Sequence, residues 1–199
     1  MKKYGLYLMM IAAMLFCSTS CGDDDDANPL EGWMIANQNA FNAIKNNSGY
    51  KELKSPGNEG SIYYKVLEEG DKTAPILYTS RIEAYYKGWF PVGSDNLPGS
   101  AVIKAGDVFD SKLLDDGSPL KFAISPELAD YHQTQNPNGY RFRTIGERVA
   151  LQSMNKGSKW EIWVPYQLAY GRENSGSIPG YSTLVFEIEV VSVRNIDDK

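Results

Sequence analysis

Apolar and polar residues alternate with period two in four stretches of the chain. In SIYYKVLEEG, Ile62, Tyr64 and Val66 stand against Tyr63, Lys65 and Leu67. In residues 76–90, Ile82, Ala84 and Tyr86 alternate with Arg81, Glu83 and Tyr85. Lys159 to Pro165 sets Trp160, Ile162 and Val164 against Glu161 and Trp163. Thr183 to Val193 sets Leu184, Phe186, Ile188 and Val190 against Val185, Glu187, Glu189 and Val191. This spacing predicts half-buried antiparallel strands. One short helix is expected at about Gly146–Met154. Strands segregated from a single helix imply an α+β fold, a curved antiparallel sheet with the helix packed across one face.

Ahead of the strands, Glu31 to Asn46 carries Trp33, Ala36, Ala40, Phe41 and Ile44 at spacings of three and four, the pattern of an amphipathic helical arm. Its apolar face is expected on its own domain. The competing assignment is a homodimer contact. Asn46 to Gly60, rich in Asn, Ser, Gly and Pro, reads as a linker. Residues 90–107 and 125–143 read as long loops of the kind that carry function.

Composition narrows the chemistry. With 13 Tyr, 7 Phe and 4 Trp there is aromatic surface for both a core and a pocket. A net charge of -5 argues against nucleic acid as a partner, because phosphate binding needs a basic face. The only cysteines are Cys17 and Cys21, so the folded body can hold neither a disulfide nor a thiolate metal site. The single histidine, His132, lies in a polar run and reads as solvated. No metal and no cofactor is expected, and no H-E-x-x-H, G-x-S-x-G or P-loop occurs.

The N-terminus reads as an address. Lys2 and Lys3 precede an apolar run from Tyr4 to Phe16, too short to span a membrane comfortably but suited to a secretory signal. Ser18-Thr19-Ser20-Cys21 resembles the lipobox of bacterial lipoproteins, which implies lipidation of Cys21 and a lipid anchor on the outer membrane of the cell envelope, at its periplasmic or surface face. The run Asp23 to Asp26 reads as a solvated tether rather than a calcium site. It also resembles the surface-export signals of Bacteroidota lipoproteins. The expected division is a signal peptide at 1–20, an acidic tether at 21–30, helix and linker at 31–60 and one domain at 61–196.

Within that domain a series of phrases occurs in order: Tyr85-Tyr86-Lys87-Gly88-Trp89, Val108-Phe109-Asp110-Ser111, Gly117-Ser118-Pro119-Leu120-Lys121-Phe122, Ala150-Leu151-Gln152-Ser153-Met154, Pro165 with Leu168-Ala169-Tyr170-Gly171, Ile178-Pro179 and Thr183-Leu184-Val185-Phe186. Together they resemble the FKBP-type peptidyl-prolyl cis-trans isomerases. The resemblance implies an FKBP-like sheet wrapped around one short helix, proline-containing polypeptides as substrates and no cofactor. It implies Tyr86, Phe109, Asp110, Tyr170 and Phe186 as catalytic residues, with Leu120, Phe122, Ile178 and Glu147 in contact with substrate. Asp110 follows Phe109 directly, so strict alternation would turn it off the wall, and it reads as a polar group on the rim.

Glu147 departs from the family, which usually has Trp or Phe at that point of the helix. Positions 147, 151 and 154 share one helical face. Three outcomes are open: Ile145 fills the floor and Glu147 turns outward; Glu147 is buried, with a raised pKa or paired to Arg148 or Arg143; or the floor is lost and catalysis weakened. The first and third are the expected ones.

Overall fold

A computed structural model describes residues 29–99, 102–129 and 139–195. The signal segment, Cys17, Cys21, the acidic run and His132 lie outside these residues. The arm is helix α1 (Glu31–Lys45). The strands are β1 (Lys51–Lys54), β2 (Ser61–Glu68), β3 (Asp71–Pro75), β4 (Arg81–Trp89), β5 (Val108–Lys112), β6 (Leu120–Ala123), β7 (Arg141–Phe142), β8 (Asn155–Lys156), β9 (Lys159–Val164) and β10 (Leu184–Arg194), with helix α2 (Ile145–Leu151) between β7 and β8. The large sheet runs β1-β2-β9-β10-β4-β6-β7, and β5 also pairs with β4. The pairings are antiparallel except β6 with β7, which is parallel. A separate ribbon joins β3 to β8.

Period two is obeyed where one face of the sheet looks inward. Ile82, Ala84 and Tyr86 of β4, and Trp160, Ile162 and Val164 of β9, are buried. The core they build also takes in Leu151 and Met154 from the α2 region. Helix α2 lies close against this face at Gly146, where a Cβ would run into the Val164 and Ile62 side chains. The expected strand at 76–80 is instead a turn, closed by the Ser80 amide on the Leu77 carbonyl and by the Leu77 amide on Ser80 Oγ.

The segment expected to be a linker is part of the fold. Lys51–Lys54 pairs with Ser61–Tyr64, so the sheet begins ten residues before the expected domain start at 61. Tyr50, in the same segment, donates its hydroxyl to Glu161 on β9. The composition was misleading because the Ser55–Gly60 turn holds most of the turn-forming residues, with Asn58 in a left-handed conformation (φ 59°).

Helix α1 covers the outer side of the sheet. Trp33 packs edge-on against Phe90 (centroids 6.1 Å apart), and Phe41 against Tyr63 (5.4 Å). That contact buries Tyr63, which strict alternation had placed in solvent. The helix is also tied to the entry of β10. Asn37 Oδ1 accepts from the Thr183 amide at 2.8 Å, the Asn37 carbonyl accepts from Thr183 Oγ1 at 3.2 Å, and Trp33 Nε1 donates to Ser182 Oγ at 3.2 Å. Asn37 is fully buried, yet an amphipathic reading counts an asparagine as surface. The face of α1 that carries Trp33, Asn37 and Phe41 is thus occupied within the chain.

Candidate functional site

Four aromatic side chains converge on the inner face of the sheet. Tyr86 and Phe122 meet edge to face with centroids 5.6 Å apart, and Phe109 meets Phe186 the same way at 5.6 Å. Phe90 extends the group, 5.1 Å from Phe109, and connects it to Trp33. Gly88 lets Phe109 in: a Cβ there would lie 2.5 Å from Phe109 Cζ and 3.0 Å from the Phe186 ring.

Register explains how both Phe109 and Asp110 reach the site. Gly88 pairs with Asp110 and Trp89 with Val108, so Phe109 is an extra residue on β5, a β-bulge. The bulge breaks alternation and turns consecutive side chains to the same side. Phe109 packs on Phe186, while Asp110 Oδ2 accepts the Tyr86 hydroxyl. Asp110 is exposed, so its carboxylate stands at the rim of the apolar group.

The floor is ionic. Glu147 is buried, with 1% of its surface exposed. Its Oε1 accepts from Arg143 Nε at 2.9 Å and Nη2 at 2.5 Å, and its Oε2 accepts from the Thr144 hydroxyl at 2.8 Å and amide at 3.2 Å. Thr144 is the N-cap of α2 and Glu147 its third residue, so the carboxylate also closes a capping box. The Arg143 guanidinium lies 4.7 Å from the Tyr86 ring centroid and 4.6 Å from that of Phe122. A planar cation between two ring faces is stabilised by their quadrupoles. Burial opposes the Arg143 charge, but the Glu147 carboxylate, by charge and hydrogen bond, outweighs it and holds the guanidinium above its ordinary pKa. The outward turn of Glu147 expected from the sequence does not occur. Its four acceptor contacts explain why a buried carboxylate is tolerated there.

Tyr170 stands near the charges of Glu147, Arg143 and Asp110. It is 41% exposed, and Gly171 after it takes φ 81°, the turn that ends this short segment. Burial of the hydroxyl, then the nearby Glu147 charge, raises its pKa above the ordinary tyrosine value, with Arg143 opposing, so it remains a donor. Beside it opens a cleft of ≈ 300 Å³, bounded by Phe142, Thr144, Ile145, Ala169 and the two arginines 143 and 148. Of the residues expected at the site, Tyr86, Phe122 and Glu147 surround Arg143, Asp110 joins them through the Tyr86 hydroxyl, and Phe109 and Phe186 form a second aromatic pair. Ile178 is buried in the core, and Leu120 lies on β6, half-buried, beside a separate cavity of ≈ 750 Å³. Arg143 is the residue the sequence reading raised only as a partner for Glu147. Its spacing of four from Glu147 was the available signal.

Comparison with known proteins agrees with this architecture. Residues 78–191, more than half of the chain, match the family described as FKBP-type peptidyl-prolyl cis-trans isomerase. The chain belongs to that family. It is 29% identical over 136 residues to the FKBP-type 22 kDa peptidyl-prolyl cis-trans isomerase of Escherichia coli, covering 68% of this chain and 51% of that protein. It is 28% identical over 153 residues to the peptidyl-prolyl cis-trans isomerase Mip of Coxiella burnetii, covering 76% and 51%. The chain thus spans about half the length of these curated relatives. Among solved structures, a peptidyl-prolyl cis-trans isomerase from Pseudomonas syringae superposes with a TM-score of 0.58 at 27% identity, over 85% of this chain and 98% of the other. No helix among the described residues is long and apolar enough to cross a membrane.

Proposed function

We propose that the protein is a peptidyl-prolyl cis-trans isomerase that assists folding of exported polypeptides at the bacterial cell envelope. The observation that carries this is the two aromatic contacts Tyr86–Phe122 and Phe109–Phe186, with the exposed Asp110 carboxylate held by the Tyr86 hydroxyl and Tyr170 lining a cleft beside Arg143. Rotation about a peptide bond faces a barrier of about 18–20 kcal/mol, set by the double-bond character of C–N. X–Pro bonds populate both isomers, and they exchange over tens of seconds or more. Lowering that barrier needs no nucleophile and no metal. An apolar site disfavours the charge-separated resonance form of the amide, and donors that fit the twisted carbonyl favour the transition state. In this scheme the half-buried Phe109 meets the prolyl group with the buried Phe186 packed behind it, the buried Tyr86 and Phe122 rings hold Arg143 in place, and Tyr170 donates to a peptide carbonyl. The Tyr86 hydroxyl fixes the Asp110 carboxylate at the rim.

The scheme is tested by cis–trans exchange of a proline-containing peptide, with Tyr170→Phe and Phe109→Ala beside the wild type. Wild-type acceleration that falls in both variants supports it; a wild-type rate equal to the uncatalysed one overturns it. The buried Arg143–Glu147 pair favours one alternative, a peptide-binding chaperone with slow turnover, since an ionic floor gives the prolyl ring a less apolar seat. Peptide binding without acceleration would establish that instead.

The address belongs to the same proposal. Residues 1–20 are a signal peptide, Cys21 carries the lipid, and an acidic tether sets the domain off from the outer membrane. Labelling of cells with a fatty-acid probe, lost in Cys21→Ala, tests the anchor.

A further inference from the structure

Two arginines border the cleft, and among the described residues only one has a carboxylate partner. Arg143 has its carboxylate in Glu147. Arg148 has none: among the described residues the ion pairs are those of Lys72, Arg143 and Lys159. Yet Arg148 is not a freely moving surface cation. Its Nε donates to the Arg143 carbonyl at 3.1 Å, and its guanidinium lies 4.2 Å from the centroid of the Phe142 ring. Phe142, 36% exposed, thereby becomes a shelf that holds the guanidinium in place at the mouth of the cleft.

A guanidinium anchored through Nε and stacked on a ring keeps its terminal nitrogens for an incoming group, and two parallel N–H donors match a carboxylate. Pinning lowers the entropy lost when that contact forms. Tyr170, the proposed donor to the substrate carbonyl, lines the same cleft. A peptide whose carbonyl meets Tyr170 would therefore place a neighbouring side chain near Arg148. The chain as a whole carries -5, so its long-range field does not draw acidic peptides, and any selection for them arises from this local site.

We propose that the cleft selects prolines flanked by an acidic residue, with Arg148 receiving the carboxylate. This deepens the isomerase proposal and rests on it. The test is a peptide set in which the residue before or after proline is Glu, Ala or Lys, with exchange rates and affinities measured by NMR for the full chain. In at least one of the two positions the Glu peptide should exceed the Ala peptide by about tenfold in kcat/KM, the yield of one charge-assisted hydrogen bond, and Lys should fall below Ala. The Glu-to-Ala ratio should collapse toward one in Arg148→Gln, return in part in Arg148→Lys, and invert against Lys in Arg148→Glu. High salt should compress it. Equal rates for Glu and Ala peptides in both positions, or a ratio that persists in Arg148→Gln, overturn the proposal while leaving the isomerase assignment standing. If no peptide is accelerated, the isomerase assignment falls, and the affinity ratios of the same peptides decide the Arg148 site alone.

Discussion

Between Lys159 and Val191 the buried side chains are almost wholly apolar, from Trp160, Ile162 and Val164 through Leu168 to Phe186 and Ile188. At Arg143 to Glu147, by contrast, two charged groups are buried together, with the Arg143 guanidinium over the Tyr86 and Phe122 rings. The wall is held by area removed from water, a non-directional force that tolerates small shifts. The floor is held by four hydrogen bonds to one carboxylate, and each has a direction. The molecule therefore has one region that degrades gradually under substitution and one that fails abruptly.

The sharpest break of that contrast is Arg143→Ala. It strands Glu147 without its counter-charge and should destabilise by about 3–5 kcal/mol in urea unfolding. Arg143→Val combined with Glu147→Trp should recover most of this, because an apolar replacement of a buried pair is often neutral or better. If the single variant unfolds like the wild type, the pair is not a structural element.

On the wall, Gly88→Ala pushes a methyl into Phe109 and Phe186 and should cost about 1–3 kcal/mol by overpacking. It should also lower the isomerisation rate by displacing Phe109. An unchanged melt would show that the bulged β5 strand yields freely.

Tyr170→Phe touches neither region's packing. Stability should stay within about 0.5 kcal/mol, while the rate falls about fivefold through loss of one hydrogen bond. Since the Tyr170 pKa is raised above 10.0, the wild-type rate should hold through pH 10 and decline only above it.

The smallest effect lies at the back of the wall. Burial first, and then the hydrogen bond and charge of Glu161, push Tyr50 up to about 12. A phenol raised in the folded state stabilises fully below its unfolded value of 10.0, and that stabilisation is lost as pH rises through 12. Between those values the stability of wild type should fall, and in Tyr50→Phe this component should be absent from the pH profile.

The fold was legible where burial has one side. Ile82, Ala84 and Tyr86, or Trp160, Ile162 and Val164, announce their strands because alternation and burial coincide there. It was less legible where a second layer covers the sheet: Tyr63 is buried by α1, and β1 lies hidden in a turn-rich stretch. The aromatic residues of the candidate site were named from the order of their motifs. Asp110 was assigned to the rim, but the bulge that turns it there is a matter of register, and no single strand states its own register.

The sequence by itself determined the period-two strands, the short helix and the family, because these depend on residue type and local spacing. Only the tertiary structure decided what Glu147 does. Its neighbours in sequence allow a surface acid at a helix start, a lost floor or a buried pair. The choice is made by Tyr86 and Phe122, brought from β4 and β6 to hold Arg143 between them, and a buried carboxylate is stable only where such partners have already been assembled.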